Sequence, residues 1–237
     1  ARAGVPDGAG ARGPRPQVGQ CGNQLGAALY GALGAEIEAG AAPGAGPGGE
    51  AFAADAAAAF FRPPRRGTRG ADDGRVRARA LLVDMEPKVV RRALKTSARA
   101  AAWRFDDNRA CSAQGGAGNN WARGHRRGGP QHRDRVLALV RREVEDCDEL
   151  DGFLLVQSLA GGTGAGLGTA LAEALRDDYP GARLLNHCVW PYESGEVAVQ
   201  SFNTLLSLGG LLEASDGVLL ASNQELHRVC QKRLGLA

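Results

Sequence analysis

The run Ser158-Leu159-Ala160-Gly161-Gly162-Thr163-Gly164-Ala165-Gly166-Leu167-Gly168-Thr169 constrains this chain more than any other stretch. An apolar segment, Phe153 to Val156, precedes it, and Leu167, Leu171, Ala174 and Leu175 follow at helical spacing. Strand, glycine-rich turn, helix is an arrangement that binds phosphate. Glycine lets the backbone approach a ligand, and a helix start offers unpaired N–H groups at the positive end of its dipole. Two common phosphate loops are excluded. The pattern G-x-x-x-x-G-K-[ST] needs a lysine, and this run has none. The pattern G-x-G-x-x-G fails as well, because counting from Gly162 or Gly164 puts its last glycine on Leu167 or Thr169. What remains is G-G-T-G-x-G, in which backbone amides and the hydroxyls of Ser158 and Thr163 do the binding.

The surrounding chain is consistent with a nucleotide-binding α/β domain. From residue 80 onward apolar strand-like runs alternate with amphipathic helical runs. That pattern predicts a Rossmann-like three-layer sandwich with a mostly parallel sheet. In such sheets ligands lie at the carboxyl ends of the strands. Arg79–Val83 is a predicted strand ending in Asp84-Met85-Glu86-Pro87, whose carboxylates suit Mg²⁺. Gln17–Gly26 and Gln114–His125 are further glycine- and amide-rich turns. Val136, Leu137, Val140, Val144 and Cys147 form one stripe of a helix, with Arg and Glu opposite. After a strand at 183–189, a helix is expected with Val199, Phe202, Leu205, Leu206 and Leu212 inward. A last strand at 216–221 leads to Ser222-Asn223, which reads as a cap for a final helix.

Other features bound the function. A net charge of +3 over 237 residues gives no argument for nucleic acid or a membrane surface. No stretch approaches the ~20 apolar residues of a membrane span. Cys21, Cys111, Cys147, Cys188 and Cys230 are widely spaced and odd in number, which argues against a disulfide framework or a zinc site and for a reduced, cytosolic chain. Residues 1–16 read as a disordered or mispredicted extension. The domain is expected over 17–237. Arg15-Pro16 stands where a buried first strand belongs, and proline is expected only at a sheet edge or a strand's first residue. The Arg62–Arg66 cluster reads as a solvated loop. His125 and His132 lack metal-ligand company.

Taken together, GQCGNQLG, LVDMEP, GAGNNWARGH and SLAGGTGAGLGT resemble the nucleotide-binding domain of the tubulin family, from Gly19 to about Leu234. LLVDMEPKVV, WPYESGEVAVQSFNTLLSL and LLASNQELHRVCQKRL resemble its delta branch, and Gln200 and Ser201 stand where alpha and beta chains have glutamate and proline. The resemblance implies GTP or GDP with Mg²⁺. It implies that Gln20 and Cys21 contact phosphate or ribose, and that Glu86 supports Mg²⁺ with Asp84 nearby. Gly116, Ala117, Gly118 and Asn119 would close over the γ-phosphate. Ser158, Ala160, Gly161, Gly162, Thr163, Gly164, Ala165 and Gly166 would cradle the phosphates, Glu196 would approach the ribose, and Asn223 the guanine. Ala160 and Ala165 stand where the family often has glycine and serine.

The partners implied are other tubulin subunits and microtubules, in the cytoplasm and cytoskeleton and at centrioles, basal bodies and cilia. The family's long central helix, intermediate domain and C-terminal helices have no counterpart here, so an incomplete chain is expected. The hydrolytic acid would come from a neighbouring subunit, from a segment this chain lacks. Two other readings of the residues are a nucleotide-dependent enzyme of another class and a non-functional fragment.

Overall fold

The computed structural model describes residues 12–40, 46–63, 73–195 and 197–235. β1 (Arg15–Val18) leads into α1 (Gly19–Gly40), and α2 (Gly46–Phe60) runs into β2 (Phe61–Arg62). β3 (Val76–Ala78), β4 (Ala80–Asp84), α3 (Pro87–Ser97), β5 (Trp103–Arg104) and β6 (Ala110–Ser112) follow. Then come α4 (Gly129–Val144), β7 (Gly152–Ser158), α5 (Gly168–Asp178), β8 (Arg183–Trp190), α6 (Gln200–Ala214), β9 (Gly217–Ser222) and α7 (Asn223–Leu234). The main sheet has the order β6-β4-β1-β7-β8-β9, and every pairing in it is parallel. A small second sheet has the order β2-β3-β5.

β4 shows why there are three layers. All five of its residues are buried, and the first four alternate between two cores. Leu81 and Val83 join Val136, Val140, Leu171 and Leu175 on the face covered by α4 and α5. Ala80 and Leu82 join Tyr30, Val90 and Ala93 on the face covered by α1 and α3. A strand buried on both sides carries apolar residues at both phases of its period of two. The scarce aromatics are concentrated in the second core, where Tyr30 meets Phe61 and Phe105 edge-to-face at 5.4 and 5.5 Å.

β1 overturns the expectation for Arg15-Pro16. The strand starts at Arg15, inside the stretch assigned to an extension, and it lies in the middle of the sheet. It runs beside β4 from Arg15↔Ala80 to Val18↔Val83. Proline is tolerated there because of the direction its nitrogen faces. Arg15 N donates to Arg79 O at 3.0 Å, toward β4. The next nitrogen, that of Pro16, therefore faces β7, where the ladder shrinks to the single pair Gln17↔Val156. Residues 1–11 lie outside the described residues.

Two helices bury the side opposite to the one their leucines suggest. In α6, Phe202 is 69% and Leu205 70% exposed, and Val199, Leu206 and Leu212 also face out. The buried positions are Asn203, Thr204, Ser207, Leu211 and Ala214. A β-carbon on Gly210 would stand 2.5 Å from Thr169 Cγ2 of α5, so the helices approach too closely for a side chain at that position. α1 behaves similarly: Leu25 and Leu29 are exposed while Gly22, Asn23, Gly26 and Tyr30 are buried.

Charges expected in solvent are also inside. Arg62 lies in β2, buried, with its Nε 3.1 Å from Glu143 Oε1 and its Nη2 2.6 Å from Asp106 Oδ2. Glu143 is fully buried on α4 and also accepts from Arg109 Nε at 2.8 Å. Two guanidiniums on one carboxylate satisfy its lone pairs, the condition under which a buried charge is tolerated. Residues 64–72, the rest of the arginine-rich loop, lie outside the described residues. Among the described residues no helix is long and apolar enough to cross a membrane.

Two glycines of α1 give opposite predictions. A β-carbon on Gly22 would lie 2.1 Å from the Val156 carbonyl oxygen of β7, whereas one on Gly31 meets nothing within 4 Å. Gly22→Ala is expected to cost about 3 kcal/mol of unfolding free energy through overpacking, and Gly31→Ala to add about 0.5–1 kcal/mol through helix propensity. Urea denaturation of the two variants checks both signs.

Candidate functional site

Four strands of the main sheet end at one cleft of about 330 Å³. The start of α1, directly after β1, contributes Gln20, Cys21 and Gln24. The end of β4 contributes Asp84 and Glu86, and the turn after β6 contributes Ala117, Gly118 and Asn119. The turn after β7 contributes Ser158, Gly161, Gly162, Thr163 and Gly164. Among the described residues, the lining contains no lysine, arginine or histidine.

Each turn is held by backbone contacts. Gly19 has φ +74°, and a β-carbon there would lie 2.7 Å from Gly164 N, so the first and last turns touch through main chain alone. Asn23 fixes the first turn to β4, donating from Nδ2 to Gly19 O at 2.8 Å and to Val83 O at 3.0 Å. In the third turn Gly115, Gly116, Gly118 and Asn119 all have positive φ, and Gly116 N donates to Met85 O. In the fourth, Ala160 N donates to the Ser158 hydroxyl at 3.3 Å. A π-helical turn, Thr163–Leu167, then runs into α5 with Gly162 before it and no side-chain cap. The open N–H groups of that helix start face a cleft lined by Gly161–Gly164, as an anion requires.

Most of the residues implicated by the sequence meet in this cleft: Gln20, Cys21, Asp84, Glu86, Ala117, Gly118, Asn119, Ser158, Gly161, Gly162, Thr163 and Gly164. Others stand elsewhere. Ala165 is fully buried in the core, and a β-carbon on Gly166 would lie 2.2 Å from Trp121 O, so both pack the turn against its neighbour. Ala160 points its carbonyl away from the cleft to Asn203, and Gly116 lies behind Glu86. Asn223 starts α7 beyond the cleft lining, and the cap there is Ser222, whose hydroxyl accepts from Glu225 N. Glu196 lies outside the described residues. Val18, Gln24 and Val89 also line the cleft and were not singled out from sequence. Gln24 had a signal, as the third amide in GQCGNQLG. Val18 and Val89 read only as core.

The two carboxylates set the electrostatics. Asp84 is 5% exposed; its Oδ1 accepts from Glu86 N at 3.1 Å, and its Oδ2 has no hydrogen-bond partner. Desolvation pushes its pKa up to about 6, partly offset by the Glu86 backbone N–H. An orphaned buried oxygen beside an exposed Glu86 fits a divalent cation that brings its other ligands as phosphate and water. Among the described residues no group of three or more His, Cys, Asp or Glu side chains could cage a metal alone.

The raised pKa fixes a pH dependence. The fold favours the neutral Asp84, so its contribution is complete below the ordinary value of 3.8 and is lost as pH rises through about 6. At about pH 8, in EDTA, Asp84→Asn is therefore expected to raise unfolding free energy by about 2–3 kcal/mol, a gain that disappears toward about pH 4. Thermal melts of both chains across that range check the sign.

A family model described as the Tubulin/FtsZ family, GTPase domain, matches residues 16–231. The tubulin delta chain of Mus musculus is 38% identical over 220 residues, 93% of this chain and 47% of that protein. The human tubulin delta chain is 37% identical over the same span. A tubulin beta chain of Porphyra purpurea is 36% identical over 219 residues, 92% of this chain and 46% of that protein. The chain thus spans about half the length of the curated relatives it matches. The matched span includes every turn that lines the cleft and the whole parallel sheet from Pro16 onward. By sheet, cleft and sequence together, this chain belongs to the GTPase domain of the tubulin/FtsZ family and is similar to its delta chains.

Proposed function

We propose that the cleft binds GTP or GDP with Mg²⁺, and that the protein acts as a delta-like tubulin in assemblies of tubulin subunits. The observation that supports this most is the lining. It offers glycine N–H groups at a helix start, neutral amides, hydroxyls and two carboxylates, with no basic side chain among the described residues. Such a surface binds polyphosphate only through main-chain dipoles and a bridging cation.

In this reading Gly161, Gly162, Thr163 and Gly164 receive the phosphates at the start of α5. Ala117, Gly118 and Asn119 cover the terminal phosphate, and Gln20 and Cys21 close the side next to β1. Burial raises the Cys21 thiol, so it stays protonated and adds no negative charge. Asp84 and Glu86 hold Mg²⁺, which neutralises phosphate charge when bound. Glu196 is assigned to the ribose. Asn223, whose neighbour Ser222 already caps α7, is assigned to the guanine. Hydrolysis belongs to the assembled state, with the acid supplied by a neighbouring subunit.

Assembly is supported by the apolar side chains left outside. Phe202, Leu205, Leu212, Leu219, Leu220, Leu226 and Val229 are at least half exposed on α6, β9 and α7. Apolar surface of this extent is covered by further protein, either the remainder of a longer chain or a neighbouring subunit. The partners proposed are other tubulin subunits within microtubules. The setting proposed is the cytoplasm and cytoskeleton, with centrioles, basal bodies and cilia as the delta-like sites of action.

Gly161 gives a test that spares the fold, because a β-carbon there meets only Asn119 Oδ1, at 3.9 Å. Gly161→Glu puts a carboxylate where phosphate belongs. It is expected to weaken fluorescent GTP at least about 100-fold with the nucleotide-free melting midpoint unchanged. Equal affinity refutes the assignment. Binding of ATP or NAD without GTP favours an enzyme of another class.

A further inference from the structure

We propose that Asn203, which lies outside the cleft, is a positioning residue that locks the turns after β6 and β7 into one arrangement. The inference rests on the guanine-nucleotide reading of the cleft. Asn203 sits in the first turn of α6 and is 3% exposed. None of its side-chain hydrogen bonds goes to its own helix. Nδ2 donates to Asn119 O and to Ala160 O, each at 2.8 Å, and Oδ1 accepts from Trp121 N at 2.9 Å.

Those three backbone groups belong to two turns that are far apart in sequence and adjacent in space. Backbone bonds hold them at their margins, Gly116 N to Met85 O and Leu159 N to Val189 O of β8. The first turn includes Asn119, a non-glycine residue at φ +52°. Asparagine enters the left-handed region more readily than other side-chained residues, at a cost that its surroundings offset. The carbonyl of that residue is one of the two that Asn203 anchors. The other, Ala160 O, adjoins Gly161, the first glycine of the phosphate-facing turn. A shift of either turn alone breaks a bond to the amide that holds the other.

The chemistry admits one side chain. Two carbonyls and one N–H converge, so the residue must donate twice and accept once from a short stem. Only asparagine has that inventory at that length. Aspartate accepts from Trp121 N but leaves both carbonyls unpaired and buries a charge. Leucine fills the space and pairs with nothing. Ser207, one turn further, donates to Asn203 O at 2.7 Å, a bond within α6. It supplies a control for the loss of a buried hydrogen bond on the same helix.

The test uses the whole chain as Asn203→Ala, Asn203→Asp and Ser207→Ala beside the wild type. Hydrogen exchange is followed in the nucleotide-free state at residues 116–121 and 159–163, and affinities are measured for fluorescent GTP and GDP. The Asn203 variants are expected to speed exchange in both turns together. They are expected to weaken GTP at least about tenfold and GDP less, because the Asn119 turn covers the terminal phosphate. Ser207→Ala is expected to lower the melting midpoint while leaving both affinities and their ratio unchanged. Exchange that rises in one turn or neither, or an unchanged GTP-to-GDP ratio, overturns the role. An equal loss of affinity in Ser207→Ala overturns it too, since general destabilisation then explains the effect. A wild-type chain that binds neither nucleotide overturns the guanine-nucleotide reading and this role with it, and is told apart by the wild-type arm alone.

Discussion

Backbone in contact with backbone holds the carboxyl edge of this sheet together. Gly19 abuts Gly164, Gly22 abuts Val156, and Gly162 abuts Asn120, each at a separation no β-carbon fits. Main chain packed this closely leaves little room for water, so its polar groups need partners within the protein. Two buried asparagines supply them. Asn23 joins the first turn to β4, and Asn203 joins the third and fourth turns to α6. The cleft is what remains between turns fixed in this way.

The same constraint explains why two helices face the wrong way for their leucines. A helix that must reach backbone groups has to come close, and closeness requires glycine, alanine, serine or threonine on the contact side. Beside Tyr30 and Leu211, α1 and α6 therefore bury small and amide residues, and Leu25, Leu29, Phe202, Leu205, Leu206 and Leu212 are left outward. α4 and α5 have no such task, and they pack on Val136, Val140, Leu171 and Leu175 as their periodicity indicates. Charge follows a similar logic at the opposite end of α4. Glu143 lies on a side that reads as solvent, yet it is enclosed by Arg62 and Arg109 from β2 and the β5–β6 connection. No local pattern announces a partner 81 residues away.

Legibility therefore differs between the parts. The alternation of strands and helices and the ends of β4, β7, β8 and β9 were readable because each rests on a local period or a glycine. The four turns at the cleft were readable for the same reason. Pro16 was misread because a rule about proline depends on which neighbour its nitrogen faces, and only the ladder tells that. Ala165 and Gly166 share a motif with Gly161–Gly164 but not their place in the cleft lining. The start of the helix turns them away from the cleft and into the core.

What the sequence determined by itself was composition at each turn: where glycine permits close approach, where amides and hydroxyls replace a lysine, and where two carboxylates end a strand. Those are properties of short segments, and they survive without knowledge of the fold. What only the tertiary structure decided was which side of a helix counts as inside and which distant groups share a buried amide or carboxylate. It also decided that the turns meet around one cleft. These depend on distances between segments far apart in the chain. Burial and hydrogen bonding are assigned by whatever stands opposite, so the role of Asn203 cannot be read until α6 is in place above the two turns it holds.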